Sequence, residues 1–153
     1  MAQVFAQFND KKVKAFMTRL GKNVKDQRKI AKVTSPIVFK DVIQHFEKEK
    51  GETGRWKPWS ASYRKHMNAI GKGGNKKLQD SGRLRQSFLL RNFRTTKDFI
   101  VWYNAAKTKK GFPYAAAHDR GGPQLPQRQF MWASKKAMNL MAKAILDQVV
   151  SDK

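Results

Sequence analysis

The sequence predicts an α+β fold in which a small antiparallel sheet packs against N-terminal, central and C-terminal helices. Three observations carry that expectation. Apolar residues recur at helical spacing near both ends of the chain. The stretch Phe99 to Tyr103 alternates in the period of a strand. Between these patterns lie short loops bounded by glycine and proline. At 153 residues the chain is expected to form one domain, with about 1–34 as a basic helical region and 35–153 as an α+β core ending in a helix.

In order, Val13, Phe16, Met17, Leu20 and Val24 define an amphipathic helix from about residue 10 to the low thirties, with Asn9 as its cap. A second helix is expected to start at Ser35 and Pro36. Its stripe is Phe39, Val42, Ile43 and Phe46, and Gly51 is its expected left-handed exit. Trp56 and Trp59 straddle Pro58 in the loop that follows, the usual mark of a sealed core edge. Ser60 is placed to cap a short helix through Tyr63, Met67 and Ile70, stopped by Gly71. Asp80-Ser81-Gly82 reads as a turn or cap. The hairpin is expected at about 87–94 with 98–104, accompanied by further short strands. A small-residue helical turn, Tyr114 to His118, then leads through Gly121-Gly122-Pro123 and an extended segment, Gln124 to Arg128. Phe130, Met131 and Trp132 stand at the expected start of the last helix, where Ser134 can cap a stripe of Met138, Met141, Ile145 and Val149.

Charge is the strongest compositional signal, with 33 Lys and Arg against 11 Asp and Glu, a net of +22. Two blocks hold the excess: residues 1–35 carry nine basic and two acidic side chains, and 55–97 carry twelve against Asp80 alone. A folded surface with a positive face, attracted to polyanions or acidic proteins, is implied. Lys11, Lys12, Lys14, Lys72, Lys76 and Lys77 are the candidate contacts to DNA or an acidic partner. The chain has no cysteine, which excludes disulfides, thiol catalysis and Cys-ligated zinc. No run approaches the roughly 20 apolar residues of a membrane span, and the N-terminus lacks the pattern of a signal peptide. A soluble protein assembled in the cytoplasm, with no membrane partner, is therefore expected.

Catalytic chemistry is hard to find. The histidines at 45, 66 and 118 are isolated. His118-Asp119 invites a general-base reading, but residues adjacent in sequence seldom form a dyad, and no nucleophile stands beside them. The glycine-rich GKGGNKK (71–77) lacks Walker spacing. No catalytic, cofactor or metal residue is assigned, and the protein is expected not to be an enzyme.

Three stretches, taken in order, resemble the phage virion morphogenesis family, the tail-completion or neck proteins of Mu-like and related tailed phages. They are HFEKEKGETGRWKPWS (His45 to Ser60), LQDSGRLRQSF (Leu78 to Phe88) and YAAAHDRGG followed by LPQRQFMWAS (Tyr114 to Ser134). The chain departs from the family pattern at Asp119-Arg120 and in its unusually basic N-terminal helix. The resemblance implies a structural component of the virion, a homo-oligomeric ring, expected to be a hexamer, at the head-tail neck around the DNA channel. Its partners would be other neck, portal or tail-tube proteins, with non-specific contact to packaged DNA. Trp56, Trp59, Leu84, Phe88, Trp102, Tyr114 and Phe130 would hold the fold or the subunit seam, and Arg128 would lie near that seam against a carboxylate or backbone carbonyls. The alternative from another class is a free-standing, sequence-independent nucleic-acid-binding protein. A small nuclease built on His118 and scattered acids is a third.

Overall fold

A computed structural model of the chain describes Thr18, residues 26–96 and residues 100–150. It is α+β, with five helices and one two-stranded antiparallel sheet among the described residues. The first helix, α1 (Gln27–Lys48), is the spine. Asp26 caps it by accepting from the Lys29 amide at 3.0 Å. Its buried face runs Ile30, Ala31, Thr34, Val38, Val42, His45 and Phe46, one continuous stripe.

Two helices were expected where there is one, because Pro36 lies inside α1 rather than at a helix start. A proline there removes the N–H that would reach the Lys32 carbonyl. The turn before it is held by hydroxyls instead: Thr34 donates to the Ile30 carbonyl at 2.7 Å and Ser35 to that of Ala31 at 2.6 Å. The apolar face passes through the proline unbroken, so packing outweighs the lost bond. The earlier part of the expected first helix, with its cap and stripe, lies outside the described residues apart from Thr18, which is helical.

The exit from α1 also differs from expectation. The left-handed residue is Glu49, at φ 50° and ψ 46°, not Gly51. Both carboxylate oxygens of Glu49 are held by Lys77, one by its amide and one by its ammonium, which offsets the backbone cost of that conformation. Gly51 is buried just beyond, its amide donating to the Gly54 carbonyl at 2.8 Å.

Ser60 caps α2 (Ala61–Ala69) as the sequence indicates, accepting from the Tyr63 amide. The short α3 (Arg83–Gln86) follows Gly82. The hairpin exists but is shorter than expected: β1 (Phe93–Thr95) pairs with β2 (Ile100–Trp102), with Phe93 opposite Trp102 and Thr95 opposite Ile100. Residues 87–92 turn instead, because Asn92 folds back so that its side-chain amide donates to the Ser87 carbonyl at 2.7 Å. Among the described residues the further short strands reduce to two isolated bridges, Lys50 with Arg55 and Gly122 with Leu125.

Next comes α4 (Tyr114–Arg120), and the chain closes with α5 (Lys135–Val150), whose start is capped by the Ser134 hydroxyl. Phe130 to Trp132 precede α5 and are not helical. The stripe of α5 turns slightly from the expected one: Ala137 and Val149 are buried, while Met138 is exposed.

The core lies between α1, the loop carrying Trp56, the α3 region and the segment before α5. Phe46 and Phe130 are both fully buried, with ring centroids 4.9 Å apart, and Trp56 meets Phe46 edge-on at 5.7 Å. Leu84, Phe88 and Ala115 complete it, with Phe39 stacked on Phe88 at 5.9 Å. The hairpin joins through the Trp102 indole, which donates to the Ser35 hydroxyl at 2.9 Å. No helix among the described residues is long and apolar enough to cross a membrane.

Candidate functional site

The stretch Arg128 to Met131 belongs to no helix or strand. Its backbone groups go elsewhere, as burial demands. The Arg128 amide donates to the His118 carbonyl at 2.9 Å. Asp119 accepts from the Phe130 and Met131 amides, both at 2.8 Å through one oxygen. Trp56 donates its indole N–H to the Gln129 carbonyl at 2.8 Å, and His45 Nδ1 donates to that of Phe130 at 2.9 Å. The segment is thus hung on side chains of three elements. Gly121 makes the turn before it, with φ at +74° and a Cβ position only 2.8 Å from the Gln127 amide nitrogen. Only glycine fits there.

Arg128, at the start of this segment, lines one wall of a cavity of about 610 Å³ together with Gln124, Leu125 and Pro126 just before it. The opposite wall is α2, where Tyr63 and Met67 lie one turn apart, with Trp59 edge-on to Tyr63 at 5.6 Å. The third is α4, which presents Tyr114 and His118, again one turn apart. Leu84 closes the floor, and Arg83 and Lys107 stand at the rim.

Arg128 is the charge in this cavity. It is 7% exposed, and both its Nε and one Nη reach only the Lys57 carbonyl, at 3.4 Å each. Both bonds are long for a guanidinium, which has five N–H groups to donate. Burial pushes the guanidinium below its ordinary value, against the pull of Tyr63 and Glu49, but an arginine remains charged. Glu49 itself is spent on Lys77 at 2.8 Å; burial raises its carboxyl, and the Lys77 bonds more than reverse that, leaving it below the usual range. His118 Nδ1 is buried without a hydrogen-bond partner, and burial together with Arg128 lowers the imidazole below its ordinary value. His118 is therefore neutral near neutral pH.

A general-base dyad does not form here. The Asp119 carboxylate is turned to the backbone of Phe130 and Met131, away from the task the sequence raised for it. Among the described residues, no group of three or more His, Asp or Glu is placed to hold a metal ion.

The remaining sequence candidates separate into groups. Trp56 and Phe130 are core residues, at 5% and 0% exposure. Trp59, Tyr114 and Arg128 converge on the cavity. Lys76 and Lys77 fasten their loop to the end of α1, through the Glu47 carbonyl at 3.0 Å and through Glu49. Lys72 pairs with Asp80 at 2.7 Å on the surface. Lys11, Lys12 and Lys14 lie outside the described residues. The sequence reading did not find Asp119 as a backbone clamp, nor Asp41, which accepts from both the amide and hydroxyl of Ser134 and so ties α1 to the start of α5.

Fold and cavity together define a small, strongly basic α+β protein with an arginine-bearing pocket. The chain belongs to the phage virion morphogenesis family, whose model matches residues 8–149. Among curated proteins and among solved structures, nothing matches it. A role as a phage structural component acting in virion morphogenesis follows from that membership.

Proposed function

We propose that this protein completes the phage tail at the head-tail neck, as one subunit of a closed, six-fold ring around the DNA channel, and that it carries out no catalysis. The observation that carries this reading is the family match across nearly the whole chain. A ring of identical copies needs heterologous contacts closed by rotation. The exposed apolar side chains of α5, including Leu140, Leu146 and Val150, offer surface for such contacts. The net charge of +22 supports contact between exposed basic residues and packaged DNA through phosphate, independent of sequence and weakened by salt.

Disrupting the gene in its phage tests the reading. The expected result is full heads and tails that fail to join, or tails of unfinished length, restored by supplying the protein in trans. Infectious particles with firmly attached tails from the disrupted phage would refute it. Native mass spectrometry of the purified protein, alone and with its neck neighbours, reads the ring directly.

A further inference from the structure

The cavity lined by Arg128 has a chemistry that the structural role does not by itself require. Its walls are aromatic and aliphatic, from Tyr63, Met67, Leu84 and Tyr114, and its volume of about 610 Å³ lies within the range of pockets that enclose a ligand. Its charge is one-sided. Arg128, Arg83, Lys107 and Lys76 face one carboxylate, Asp80, which is already paired with Lys72. Among the lining residues is an arginine more than nine-tenths buried, held only by two long bonds of 3.4 Å to the Lys57 carbonyl, and His118, whose imidazole Nδ1 is buried and unpartnered. A guanidinium fork in such a place is suited to two parallel bonds from one planar anion.

We propose that this cavity is a docking socket for an acidic peptide segment of a neighbouring virion protein: one Glu or Asp carboxylate seats on Arg128 while its flanking apolar side chains lie against Tyr63, Met67 and Tyr114. The inference deepens the neck reading by naming the surface and the partner's chemistry. A second copy of this chain, itself at +22, is the poorer electrostatic match. Duplex DNA is excluded by shape, because its phosphates lie on a broad convex cylinder and none projects far enough to reach a buried guanidinium. A carboxylate on a flexible side chain does reach it. The exposed lysines elsewhere on the surface are the more accessible partners for phosphate.

The test uses the full chain, isotopically labelled, and two capped tripeptides, acetyl-Leu-Glu-Leu-amide and acetyl-Leu-Gln-Leu-amide, followed by NMR. The glutamate peptide is expected to saturate at millimolar concentration and to shift the Arg128 Nε–H and the His118 ring. The glutamine peptide is expected to bind about tenfold more weakly or worse, the loss of one charge-assisted pair. Arg128→Gln should erase the difference between the peptides, with its thermal melt confirming that it folds. The two peptides make the comparison on the unaltered protein even if that variant does not fold. Equal binding of both peptides, shifts confined to other surfaces, or no saturation would overturn the proposal. So would inorganic phosphate or a short DNA duplex moving the same two signals at lower concentration than the glutamate peptide. Failure here leaves the gene-disruption result standing, so the two readings fail separately.

Discussion

Replacing Asp119 by alanine removes one oxygen that serves two amides. Each of these bonds has an ionised acceptor and a length of 2.8 Å, the class worth about 1.5–3 kcal/mol apiece. The site is only partly buried, so water can recover part of the loss, and about 3 kcal/mol is the expected total. For a domain of this size each 1 kcal/mol moves the melting temperature by roughly 2–4 °C, so the variant should melt about 6–12 °C lower. Asp119→Asn keeps an acceptor in place without the charge and should lose only about 1 kcal/mol. Circular dichroism melts measure both, and hydrogen exchange gives the local view: the Phe130 and Met131 amides should lose protection in the alanine variant before those of α1 do. A melt within about 2 °C of wild type, or retained protection at those two amides, would refute the clamp.

Further outcomes follow from other joints. His45 is lowered chiefly by burial, over the opposing pull of the Phe130 carbonyl and Asp41, and His118 is lowered by burial and Arg128. The unfolded chain therefore takes up protons as pH falls below about 6.5 while the folded chain resists, so stability is full above that pH and declines below it. Denaturant midpoints at about pH 7.5 and about pH 5.5 should show this, and the double variant His45→Gln, His118→Gln should lessen the slope; a slope unchanged by the substitutions would be the contrary result. Gly121→Ala should cost about 2 kcal/mol, measured by chemical denaturation, because φ is +74° and the added methyl meets the Gln127 amide. Pro36→Ala should raise stability by about 2 kcal/mol, since the restored N–H outweighs the freedom regained by the unfolded chain.

Local signals in the sequence were read where local forces decide. Ser60 and Ser134 cap their helices because a hydroxyl one residue before an apolar pattern has few other uses. The strand around Ile100 to Trp102 shows in its alternation. What escaped was decided at long range. Pro36 looks like a helix start because the sequence alone does not reveal that Ile30 and Val38 bury against one core. Glu49 takes the place expected of Gly51 because Lys77, twenty-eight residues away, grips its carboxylate. Residues 87–92 are apolar enough for a strand, but the Asn92 amide turns the backbone. At the candidate site, Arg128, Trp59 and Tyr114 stood out by residue type. The cavity that joins them needs Gly121 and Asp119 to hang the segment in place, and no spacing rule announces a side chain that serves as a backbone acceptor.

The proline within α1 has a mechanical consequence. The helix, at 22 residues, is about 33 Å long. On one side of Pro36, Ser35 carries the indole of β2; on the other, Asp41 and His45 carry Ser134 and Phe130 at the approach to α5. The missing rung, between Lys32 and Pro36, lies in the turn that carries Ser35. The Ser35 hydroxyl accepts from the Trp102 indole while donating to the Ala31 carbonyl, so the hairpin is fastened to the very side chain that braces the helix where its backbone bond is absent.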